Sequence, residues 1–578
     1  MTVYDEKPWL KFYESRLSPD CKSLAETYID MLEKGLKFRP EIAAFYFLGI
    51  TFTYKKLDQL SMRFASYIRQ QGCNPGDVVG INLPNVPQYV IALAGALRAG
   101  CVVTGVSPLL VPKEMAYQLN DSGAKALVTL DAIYENRVQK IKDDIPKVTC
   151  IITTNIADYL PSYKRILGKV TKKVPSGKVE PIKGKEVTSF KAALANTLPD
   201  ISKTSVKTDD TCLIQYTGGT TGMPKGAVLT HGNMVANLTQ GIQWLDLKMA
   251  GGTVCSGFPY FHLAGLYFGM VSMAMVFTQC LIPDPRNTKN ICKEIAAHRP
   301  SMMLMVPSLY QMLMDDPAFS KIDFSSCNAC ISGASPFSKE AINALEAIIG
   351  KDKVVELYGM TEASPIITMN PLRGKKKIGS VGVPLQSTLV KLVDVETGKN
   401  EVPTGEVGEI IVHGPQVMKG YHNKPEETAN TLREFQNATW LYTGDVASMD
   451  EDGYFSIADR TKDMLIVSGF KVFSREVEEV LSEYKAVELC AIIGIKNPER
   501  PDSQIVKAVV QLSKEAQGKG QDVIKKEILE HCKENLAPYK VPKVIVFTDA
   551  IPLTAVGKVD KKVLRTISES TPIKKTGE

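Results

Sequence analysis

Thr217-Gly-Gly-Thr-Thr-Gly-Met-Pro-Lys-Gly226 is the stretch of this chain that says most about its fold and its chemistry. Its glycines let the backbone adopt positive φ and turn N–H groups toward an anion, while its threonine hydroxyls add donors or a ligand for a hard cation. Lys225 adds a positive charge on a flexible side chain. The flanks Cys212–Tyr216 and Ala227–Leu229 have the apolar character of β-strands. We therefore predict a phosphate-binding loop between two strands, in preference to a flexible surface hairpin.

This loop differs from a Walker A loop, in which Gly-Lys-Ser/Thr opens a helix, because Pro224 precedes the lysine here. With the Thr230-His-Gly-Asn233 sequence after it, the loop resembles the nucleotide loop of the adenylate-forming superfamily, which includes acyl-CoA synthetases, luciferases and peptide-synthetase adenylation domains. The resemblance implies that Lys225 is catalytic and binds nucleotide, and that Thr217 binds nucleotide and Mg²⁺. The remaining loop residues implied to bind nucleotide are Gly218, Gly219, Thr220, Thr221 and Gly222.

Length and composition describe a large globular protein with several subdomains. A chain of 578 residues is too long for one hydrophobic core, and 44% hydrophobic with 23% charged residues is ordinary for a globular protein. The net charge of +6 is too small to indicate nucleic acid, although it suits anionic ligands. Cys327 and Cys330 form the one closely spaced pair among twelve cysteines. Two buried strand cysteines are a better interpretation of that pair than a metal or redox site.

Three segments bear on localisation, for which we expect the cytoplasm. The first eight residues are polar and do not resemble a signal peptide, and scattered free cysteines fit a reducing compartment. The apolar stretch 266–282 is at the short limit for a membrane span, so we predict a buried helix and strand there. Residues 164–185 carry eight Lys or Arg and one acidic residue. A solvated loop is the default interpretation, and peripheral contact with anionic lipid is the alternative.

Alternating helical and strand-like patterns predict an α/β fold. Short strands at Cys101–Thr104, Ala124–Thr129 and Cys150–Thr153 are separated by helical segments, which implies βαβ units and a mostly parallel sheet. The pattern repeats over 254–357, which predicts a second doubly wound sheet. Short strands with Gly and Pro turns over 379–456 are closer to a small β-barrel.

A change in sequence pattern after Arg460 predicts a separate C-terminal domain. Ser474 is a candidate cap for a helix, and a strand and a second amphipathic helix follow it, so we expect a small, mobile α+β domain. The predicted boundaries are an N-terminal adenylation domain over 1–458, a hinge at 459–460 and the mobile domain over 461–578.

Glu356-Leu-Tyr-Gly-Met-Thr-Glu362 is the second motif with chemical content. An aromatic side chain beside glycine offers a face for a base, and the oxygens of Thr361 and Glu362 suit Mg²⁺, which prefers few carboxylates plus phosphate. The motif resembles the superfamily's adenine-and-magnesium segment, which implies a catalytic and metal-binding role for Glu362. The residues implied to bind nucleotide are Glu356, Tyr358, Gly359, Met360 and Thr361. Upstream, the small residues that resemble the lining of the adenine pocket are Gly333, Ala334 and Ser335, although an ordinary strand-to-helix turn would look similar.

The third motif is Trp440-Leu-Tyr-Thr-Gly-Asp445, with Asp459-Arg460 after it. In the resembled family the matching Asp and Arg hold the ribose hydroxyls, a task suited to short charged hydrogen bonds. A surface hairpin with a salt bridge is the alternative. The residues that the resemblance assigns to nucleotide binding here are Asp445, Arg460, Lys462 and Gly469.

Two further residues complete the predicted catalytic set. Pro552-Leu-Thr-Ala-Val-Gly-Lys-Val-Asp-Lys-Lys562 resembles the motif whose lysine, here Lys558, reaches the active site from the C-terminal domain. A carboxylate that attacks an α-phosphate brings two anions together, so cations must stabilise the transition state. His262, after Pro259-Tyr-Phe, is at the position that borders the acyl carboxylate in acyl-CoA synthetases. A lone histidine in an apolar setting is otherwise more often a packed core residue.

The motifs most resemble medium- and long-chain fatty acid–CoA ligases. Asn437-Ala-Thr439 departs from the usual Asp/Asn-Gly before Trp440, and Ile466 replaces the lysine of luciferase-type relatives. We predict an AMP-forming acid–CoA ligase that uses ATP, Mg²⁺ and coenzyme A. Open alternatives are an alicyclic or aromatic acid, an acyl-AMP ligase that charges a carrier protein, and a fatty-acid-binding protein without activity. No carrier domain is expected after Lys558.

The acid itself is not readable from the sequence. Apolar residues over 234–244, over 263–269 and around Gly333 are the candidates for shaping an acyl tunnel. Straight-chain, alicyclic and aromatic acids stay open, as do the physiological direction of the reaction and a homodimeric state.

Overall fold

The structure is a computed structural model that describes residues 2–161, 163–164, 174–195, 197–198, 204–217, 223–335, 337–468, 470–498, 500, 503–513, 515–516, 520–554 and 558–570. The α-helices are α1 (Val3–Glu6), α2 (Tyr28–Phe38), α3 (Tyr54–Gln70), α4 (Pro87–Arg98), α5 (Pro112–Ser122), α6 (Asp131–Asn136), α7 (Phe190–Ala195), α8 (His231–Trp244), α9 (Leu263–Met275), α10 (Thr288–His298), α11 (Pro307–Met314), α12 (Lys339–Ile349), α13 (Pro425–Thr431), α14 (Ser474–Ser482), α15 (Gln521–Asn535) and α16 (Lys561–Ser570). Short 3₁₀ helices cover Pro8–Phe12, Val138–Ile141, Ile156–Tyr159, Phe319–Lys321 and Thr361–Ala363.

The strands are β1 (Ala43–Phe47), β2 (Ile50–Thr53), β3 (Val78–Asn82), β4 (Val102–Gly105), β5 (Ala124–Leu130), β6 (Cys150–Thr154), β7 (Glu186–Ser189), β8 (Thr211–Thr217), β9 (Lys225–Thr230), β10 (Thr253–Ser256), β11 (Thr278–Leu281), β12 (Met302–Met305), β13 (Ala329–Ser332), β14 (Val354–Gly359), β15 (Ile366–Met369), β16 (Val383–Pro384), β17 (Leu389–Val393), β18 (Val407–His413), β19 (Gly420–Tyr421), β20 (Leu432–Phe435), β21 (Ala438–Met449), β22 (Phe455–Arg460), β23 (Leu465–Val467), β24 (Phe470–Val472), β25 (Val487–Lys496), β26 (Gln504–Leu512) and β27 (Val544–Thr548).

The first large sheet carries the predicted phosphate loop at one side. Its strand order is β19-β9-β8-β4-β3-β5-β6-β7, and the pairs from β4 through β7 are parallel, as the βαβ pattern predicts. Helix α4 between β3 and β4 is buried along its whole length. A Cβ at Gly95 of that helix would lie 2.6 Å from the Ser61 carbonyl oxygen of α3. Glycine therefore allows α3 and α4 to pack at this short separation.

The second large sheet has the order β16-β15-β14-β13-β12-β10-β11-β1-β2. Strands β10 to β14 are parallel, and antiparallel pairs close both edges. The apolar stretch 266–282 is divided between the buried helix α9 and the buried strand β11, which confirms the predicted helix and strand. Within the described residues, no helix is both long and apolar enough to cross a membrane.

Two smaller units follow. Strands β17, β18, β20, β21 and β22 form an antiparallel sheet in the region predicted as a small β-barrel. Among the described residues β17 pairs with neither β20 nor β22, so this sheet does not close into the predicted barrel. Beyond it, β25, β26 and β27 form a separate sheet that α14 and α15 cover, with a hydrophobic core of its own. The predicted class, an α/β fold with a large N-terminal part and a small α+β C-terminal part, is therefore confirmed. The boundaries at 458–461 and the mobility of the C-terminal part stay predictions.

Two details differ from the sequence analysis or refine it. Ser474 was predicted to cap a helix, but it is the first residue of α14, and the cap position belongs to Phe473, whose side chain has no acceptor. Cys330 lies on β13 and Cys327 lies in the turn before it, both buried, with their sulfur atoms 3.6 Å apart. The pair is thus two buried thiols, of which one lies on a strand.

Candidate active site

The predicted phosphate loop joins two antiparallel strands. Thr217 ends β8 and faces Lys225, the first residue of β9, in the strand register. The Thr217 hydroxyl donates to the Lys225 carbonyl oxygen at 3.5 Å. The loop residues Gly218, Gly219, Thr220, Thr221 and Gly222 lie outside the described residues. The strand–loop–strand arrangement of the flanks agrees with the sequence prediction.

Lys225 is held by two side chains that the sequence analysis did not identify. Its ammonium group forms an ion pair with Glu427 of α13 and lies 5.1 Å from the centre of the Tyr421 ring. Tyr421 reaches this place because β19 pairs with β9, which sets Tyr421 opposite Ala227. Nothing in the sequence marked these residues, because about 200 positions separate them from Lys225 and only the strand pairing connects them.

Glu362 is a buried carboxylate that shares a partner, Tyr421, with that lysine. It lies in the 3₁₀ helix Thr361–Ala363, is 6% exposed, and accepts a hydrogen bond from the Tyr421 hydroxyl at 2.6 Å. Burial raises the pKa of Glu362, and the Tyr421 hydrogen bond opposes that rise. Tyr421 therefore contacts both the lysine and the carboxylate that the motifs assign to phosphate and Mg²⁺.

The donor set fits Mg²⁺ bound together with phosphates. Among the described residues, no cluster of three or more His, Cys, Asp or Glu side chains could hold a metal ion by itself. Mg²⁺ retains water and takes one or two carboxylates plus substrate phosphates, so a single buried carboxylate near a phosphate loop is compatible with it. Glu362 and the Thr217 hydroxyl are the two candidate protein ligands.

Asp445, Tyr358 and Arg460 form a connected polar group. Asp445 and Arg460 are register partners on β21 and β22, and the Arg460 guanidinium lies 3.0 Å from one Asp445 oxygen. The Tyr358 hydroxyl donates to the other Asp445 oxygen at 2.7 Å. Asp445 is 6% exposed, so its carboxylate is fixed by two partners in a largely water-excluded place. This strand pair brings together the two residues that the sequence analysis assigned to the ribose.

The adenine-pocket candidates lie at the ends of β13 and β14. A Cβ at Gly333 would lie 2.7 Å from the Leu357 side chain, and Ala334 has a φ of 70°. The chain therefore makes a tight turn at Gly333–Ser335. One oxygen of Glu356 accepts a hydrogen bond from the Gly379 N–H at 3.1 Å, and burial raises the pKa of this carboxyl to about 8.

Gly359 and Met360 of the Glu356–Glu362 motif shape the backbone beside this turn. A Cβ at Gly359 would lie 2.0 Å from the Pro365 carbonyl oxygen, so only glycine fits there. The next residue, Met360, donates its N–H to the same carbonyl oxygen at 2.9 Å.

His262 caps α9, the helix that connects β10 and β11 of the second sheet. Its Nδ1 accepts a hydrogen bond from the Ala264 N–H at 3.3 Å, which leaves Nε2 as the nitrogen that carries the proton in the neutral ring. Burial, followed by the charge of Lys558, lowers the pKa of His262 to about 4. The imidazole is therefore neutral at physiological pH.

Lys558 lies among the N-terminal site residues. It belongs to a hairpin in which Thr554 N–H donates to the Lys558 carbonyl oxygen at 2.7 Å. Burial is the largest cause that lowers the pKa of Lys558, to about 8; the Arg460 charge lowers it further, whereas Asp445 and Glu362 raise it. These charges act on Lys558 because the C-terminal part is placed with this hairpin against the nucleotide side of the N-terminal part.

Sequence and structure comparisons agree with this geometry. Residues 32–422 match the family described as AMP-binding enzyme, and residues 476–558 match the AMP-binding enzyme C-terminal domain. The chain belongs to the AMP-binding enzyme family. It is 37% identical to the long-chain-fatty-acid–CoA ligase of Bacillus subtilis (strain 168), over 98% of this chain and 99% of the relative. It is 32% identical to a feruloyl-CoA synthase of an Amycolatopsis species, over 92% of this chain and 96% of that one.

A solved structure supports the same family assignment. An anthranilate CoA ligase in complex with anthranoyl-AMP superposes with a TM-score of 0.81 and 25% identity, over 95% of this chain and 98% of that chain. The matches confirm the predicted enzyme class, an acid–thiol ligase. ATP and coenzyme A are the substrates of AMP-forming ligases of this kind.

The remaining site candidates of this AMP-binding enzyme lie beside the site or outside the described residues. Lys462 is exposed just beyond β22, and Gly469 lies outside the described residues. The acyl-tunnel segments 234–244 and 263–269 lie on α8 and α9 and are mostly buried. A Cβ at Gly241 would lie 2.0 Å from the Tyr267 hydroxyl oxygen, so the two helices pack tightly there.

Proposed function

We propose that this chain is an ATP-dependent, AMP-forming ligase that joins a long-chain fatty acid to coenzyme A. The observation that carries the proposal is that Lys558, a cation of the C-terminal hairpin, lies within electrostatic range of Arg460, Asp445 and Glu362 of the N-terminal part. The name of the Bacillus subtilis relative supports the fatty acid as the substrate.

In the first half-reaction, the fatty acid carboxylate attacks the α-phosphorus of ATP. A new acyl–phosphate bond forms, the bond to the pyrophosphate oxygen breaks, and acyl-AMP and pyrophosphate result. Two anions must approach each other, and the transition state spreads charge over the phosphoryl oxygens. Lys225, at the phosphate loop, and Lys558, from the C-terminal hairpin, supply the cations.

The nucleotide is oriented by groups on strands. Asp445, fixed by Tyr358 and Arg460, has the acceptor oxygens that ribose hydroxyls need. The turn at Gly333–Ser335 and the Tyr358 ring border the adenine. Because these groups are held by strand pairing, they orient the nucleotide without a large loss of side-chain entropy.

Glu362 and the Thr217 hydroxyl would hold Mg²⁺ together with the phosphates. When bound, the ion would neutralise phosphate charge and polarise the phosphoryl oxygens. Tyr421 keeps the Glu362 carboxylate in place through its hydroxyl hydrogen bond.

In the second half-reaction, the thiol of coenzyme A loses its proton to solvent and its sulfur attacks the acyl carbonyl carbon. The carbon–sulfur bond forms, the bond from that carbon to the AMP phosphate oxygen breaks, and AMP leaves with the electron pair of that bond. His262 is neutral and its Nδ1 is engaged in capping α9, so its Nε2–H is free to donate to an acyl oxygen at the entrance of the acyl pocket. The fatty acid tail is held by burial against apolar side chains of α8 and α9.

A second candidate substrate is an aromatic acid. The feruloyl-CoA synthase relative and the anthranilate ligase structure favour it, because both align over nearly the whole chain. The higher identity to the fatty acid ligase makes the fatty acid the first candidate.

A panel of acids tests both candidates. Acids from C4 to C18, benzoate, cyclohexanecarboxylate and ferulate are compared in acid-dependent ATP–pyrophosphate exchange and in thioester formation with free coenzyme A. Burial of each added methylene contributes about 0.8 kcal/mol, so kcat/KM should rise by up to roughly fourfold per carbon until the pocket is full. A preference for benzoate or ferulate would favour the aromatic candidate. Exchange without thioester would identify a ligase that charges a carrier protein.

A further inference from the structure

Helix α14 of the C-terminal part begins at a carboxylate from another unit. The residue before the helix, Phe473, makes no side-chain capping bond. Asp459 takes that place: Ser474 N–H donates to one Asp459 oxygen, and the Ser474 hydroxyl donates to the other at 3.0 Å. Asp459 is 6% exposed and Ser474 is fully buried. A carboxylate at a helix N-terminus satisfies free N–H groups and matches the positive end of the helix dipole.

A lysine near the catalytic hairpin extends this contact. The Lys561 ammonium donates to the Ser474 hydroxyl oxygen at 2.6 Å and lies 2.7 Å from a Glu478 carboxylate oxygen. Lys561 begins α16, three residues after Lys558. It therefore connects the base of the hairpin that carries Lys558 to the start of α14.

The two ends of this chain of contacts belong to different units. Asp459 pairs with Val446 in the antiparallel sheet that precedes the C-terminal part. Ser474, Glu478 and Lys561 lie on helices that pack on the C-terminal sheet. Any rotation of the C-terminal part relative to that sheet would separate Ser474 from Asp459.

We infer that Ser474 and Lys561 are positioning residues that hold Lys558 in the active site, because their contact with Asp459 fixes the C-terminal part in the orientation required for acyl-AMP formation. This inference rests on the proposed function, since it assigns the contact to one of its two half-reactions. Coenzyme A replaces the acid as the attacking group in the second half-reaction, and Lys558 has no second anion to bring to the phosphate then. The orientation held by Asp459 is thus needed in the first half-reaction alone.

The size of the effect follows from the kind of hydrogen bond that is lost. A buried hydrogen bond to a charged group is strong enough to change a conformational equilibrium about tenfold or more. Removal of the Ser474 hydroxyl or the Lys561 cation should therefore lower acyl-AMP formation about tenfold. Thioester formation from supplied acyl-AMP should be unchanged or faster.

The test compares Ser474→Ala and Lys561→Met with Lys471→Met. Lys471 forms an ion pair with Glu396 at 3.1 Å that also connects the two units, but both side chains are well exposed, so it is the matched control. For each full-length variant, acid-dependent ATP–pyrophosphate exchange and thioester formation from supplied acyl-AMP are measured on the same preparation. The ratio of the two rates does not depend on the folded fraction, so a loss of stability alone would leave it unchanged.

Limited proteolysis supplies a readout that needs no activity. Lys462 is exposed between β22 and β23, but the backbone around it is held, since Thr461 N–H donates to the Gly444 carbonyl oxygen at 2.9 Å. Trypsin can cleave after Lys462 only when this segment opens, so the cleavage rate reports how often the two units separate. We expect faster cleavage there in Ser474→Ala and Lys561→Met than in wild type or Lys471→Met.

The outcomes separate the inference from the proposed function. Equal losses in both half-reactions, or an unchanged ratio in both variants, would overturn the positioning role. If wild-type protein shows no exchange with any acid, the proposed function fails, and the cleavage rates still decide whether Ser474 and Lys561 hold the two units together. Unchanged cleavage in both variants would then overturn the inference as well.

Discussion

The nucleotide side of the site and the hairpin that carries Lys558 are held in different ways. Asp445 and Arg460 are register partners on adjacent strands, and Tyr358 on β14 of another sheet binds the same carboxylate. Lys558 lies on a hairpin closed by a few backbone hydrogen bonds, including that from Asp560 N–H to the Pro552 carbonyl oxygen at 2.8 Å. Under the proposed function, the groups needed in both half-reactions lie on strands, whereas the group needed in the first alone lies on a hairpin of the C-terminal part.

The two regions also differ in whether their charged groups already have partners within the protein. Asp445 has its partners in place, a guanidinium and a phenol. Lys558 is half-buried, and desolvation together with the nearby Arg460 charge lowers its pKa to about 8. An incoming phosphate and carboxylate would supply the anions that favour its charged form. Asp445 therefore has its charge partners within the protein, whereas Lys558 would gain its anionic partners from the substrates.

The largest expected effect is the loss of Lys558. Lys558→Ala should lower acyl-AMP formation by roughly 10²-fold or more, which is the scale of removing one electrostatic stabiliser of a transition state. Thioester formation from supplied acyl-AMP should remain close to wild type. Acid-dependent ATP–pyrophosphate exchange and a direct thioester assay measure the two steps.

Lys562→Ala is the matched control for this prediction. Lys562 is an exposed lysine four residues later on the same segment, so its removal should leave both half-reactions within about twofold. A similar loss in both half-reactions of Lys558→Ala would contradict the prediction. Lys558 would then have a structural role, or would serve both half-reactions as Asp445 does.

The next prediction tests the groups that lie on strands, Asp445, Arg460 and Tyr358. Asp445→Asn removes the negative charge that pairs with Arg460 and weakens the acceptor for ribose, and charge-assisted hydrogen bonds are about twice as strong as neutral ones. We expect KM for ATP to rise about 30-fold, with KM for the acid nearly unchanged. Both half-reactions should suffer, in contrast to Lys558→Ala, because the nucleotide is bound in each.

Asp450→Asn is the control for that variant. Asp450 follows β21 and forms an ion pair with Lys377 at 2.6 Å on the partly exposed side of the same hairpin. Its substitution should not change KM for ATP. A rise in the acid KM of Asp445→Asn would place Asp445 at the acyl pocket instead.

The fold was predictable from sequence where periodicity was strong. The alternating pattern around Cys101–Thr104 and Cys150–Thr153 gave strands β4 and β6, since short apolar runs between helices have few other solutions. The cap of α14 was not predictable. Ser474 has the right chemistry for a cap, but the acceptor comes from Asp459, which lies on a strand of another unit.

The candidate site shows the same limit. Asp445 and Arg460 could be paired from sequence because a hairpin connects them. Tyr421 and Glu427 could not be, since their contacts with Glu362 and Lys225 depend on β19 joining the first sheet beside β9. Local motifs thus identify the candidate site residues, and long-range strand pairing decides which side chains hold them.

The pH dependence should differ between the two half-reactions, because only the first depends on the charge of Lys558. Lys558 is charged below its lowered pKa of about 8 and loses its charge as pH rises through that value. Because kcat/KM reports the free enzyme, kcat/KM for ATP in acyl-AMP formation should fall about tenfold between pH 7 and pH 9. Thioester formation should rise over this range, since a thiol with a pKa near 8.5 becomes a thiolate.

Lys558→Arg tests whether the loss of the Lys558 charge causes the fall in kcat/KM between pH 7 and pH 9. Arginine stays charged throughout this range, so any activity that the variant retains should not decline with pH. A wild-type profile of kcat/KM for ATP that is flat up to pH 9 would contradict the prediction, because it would show that Lys558 keeps its charge in the free enzyme or is not needed for this step.

The smallest effect concerns the acidic partner of Lys225. Glu427 holds the ammonium group in an ion pair whose side chains are 26% and 45% exposed, so the pair is weak. ATP phosphates must compete with Glu427 for Lys225. Glu427→Gln should therefore lower KM for ATP by up to about threefold, whereas Glu426→Gln, at the exposed neighbouring position, should have no effect. An increase in KM for ATP with Glu427→Gln would contradict this, because it would show that the ion pair positions Lys225 for phosphate instead of competing with the ATP phosphates.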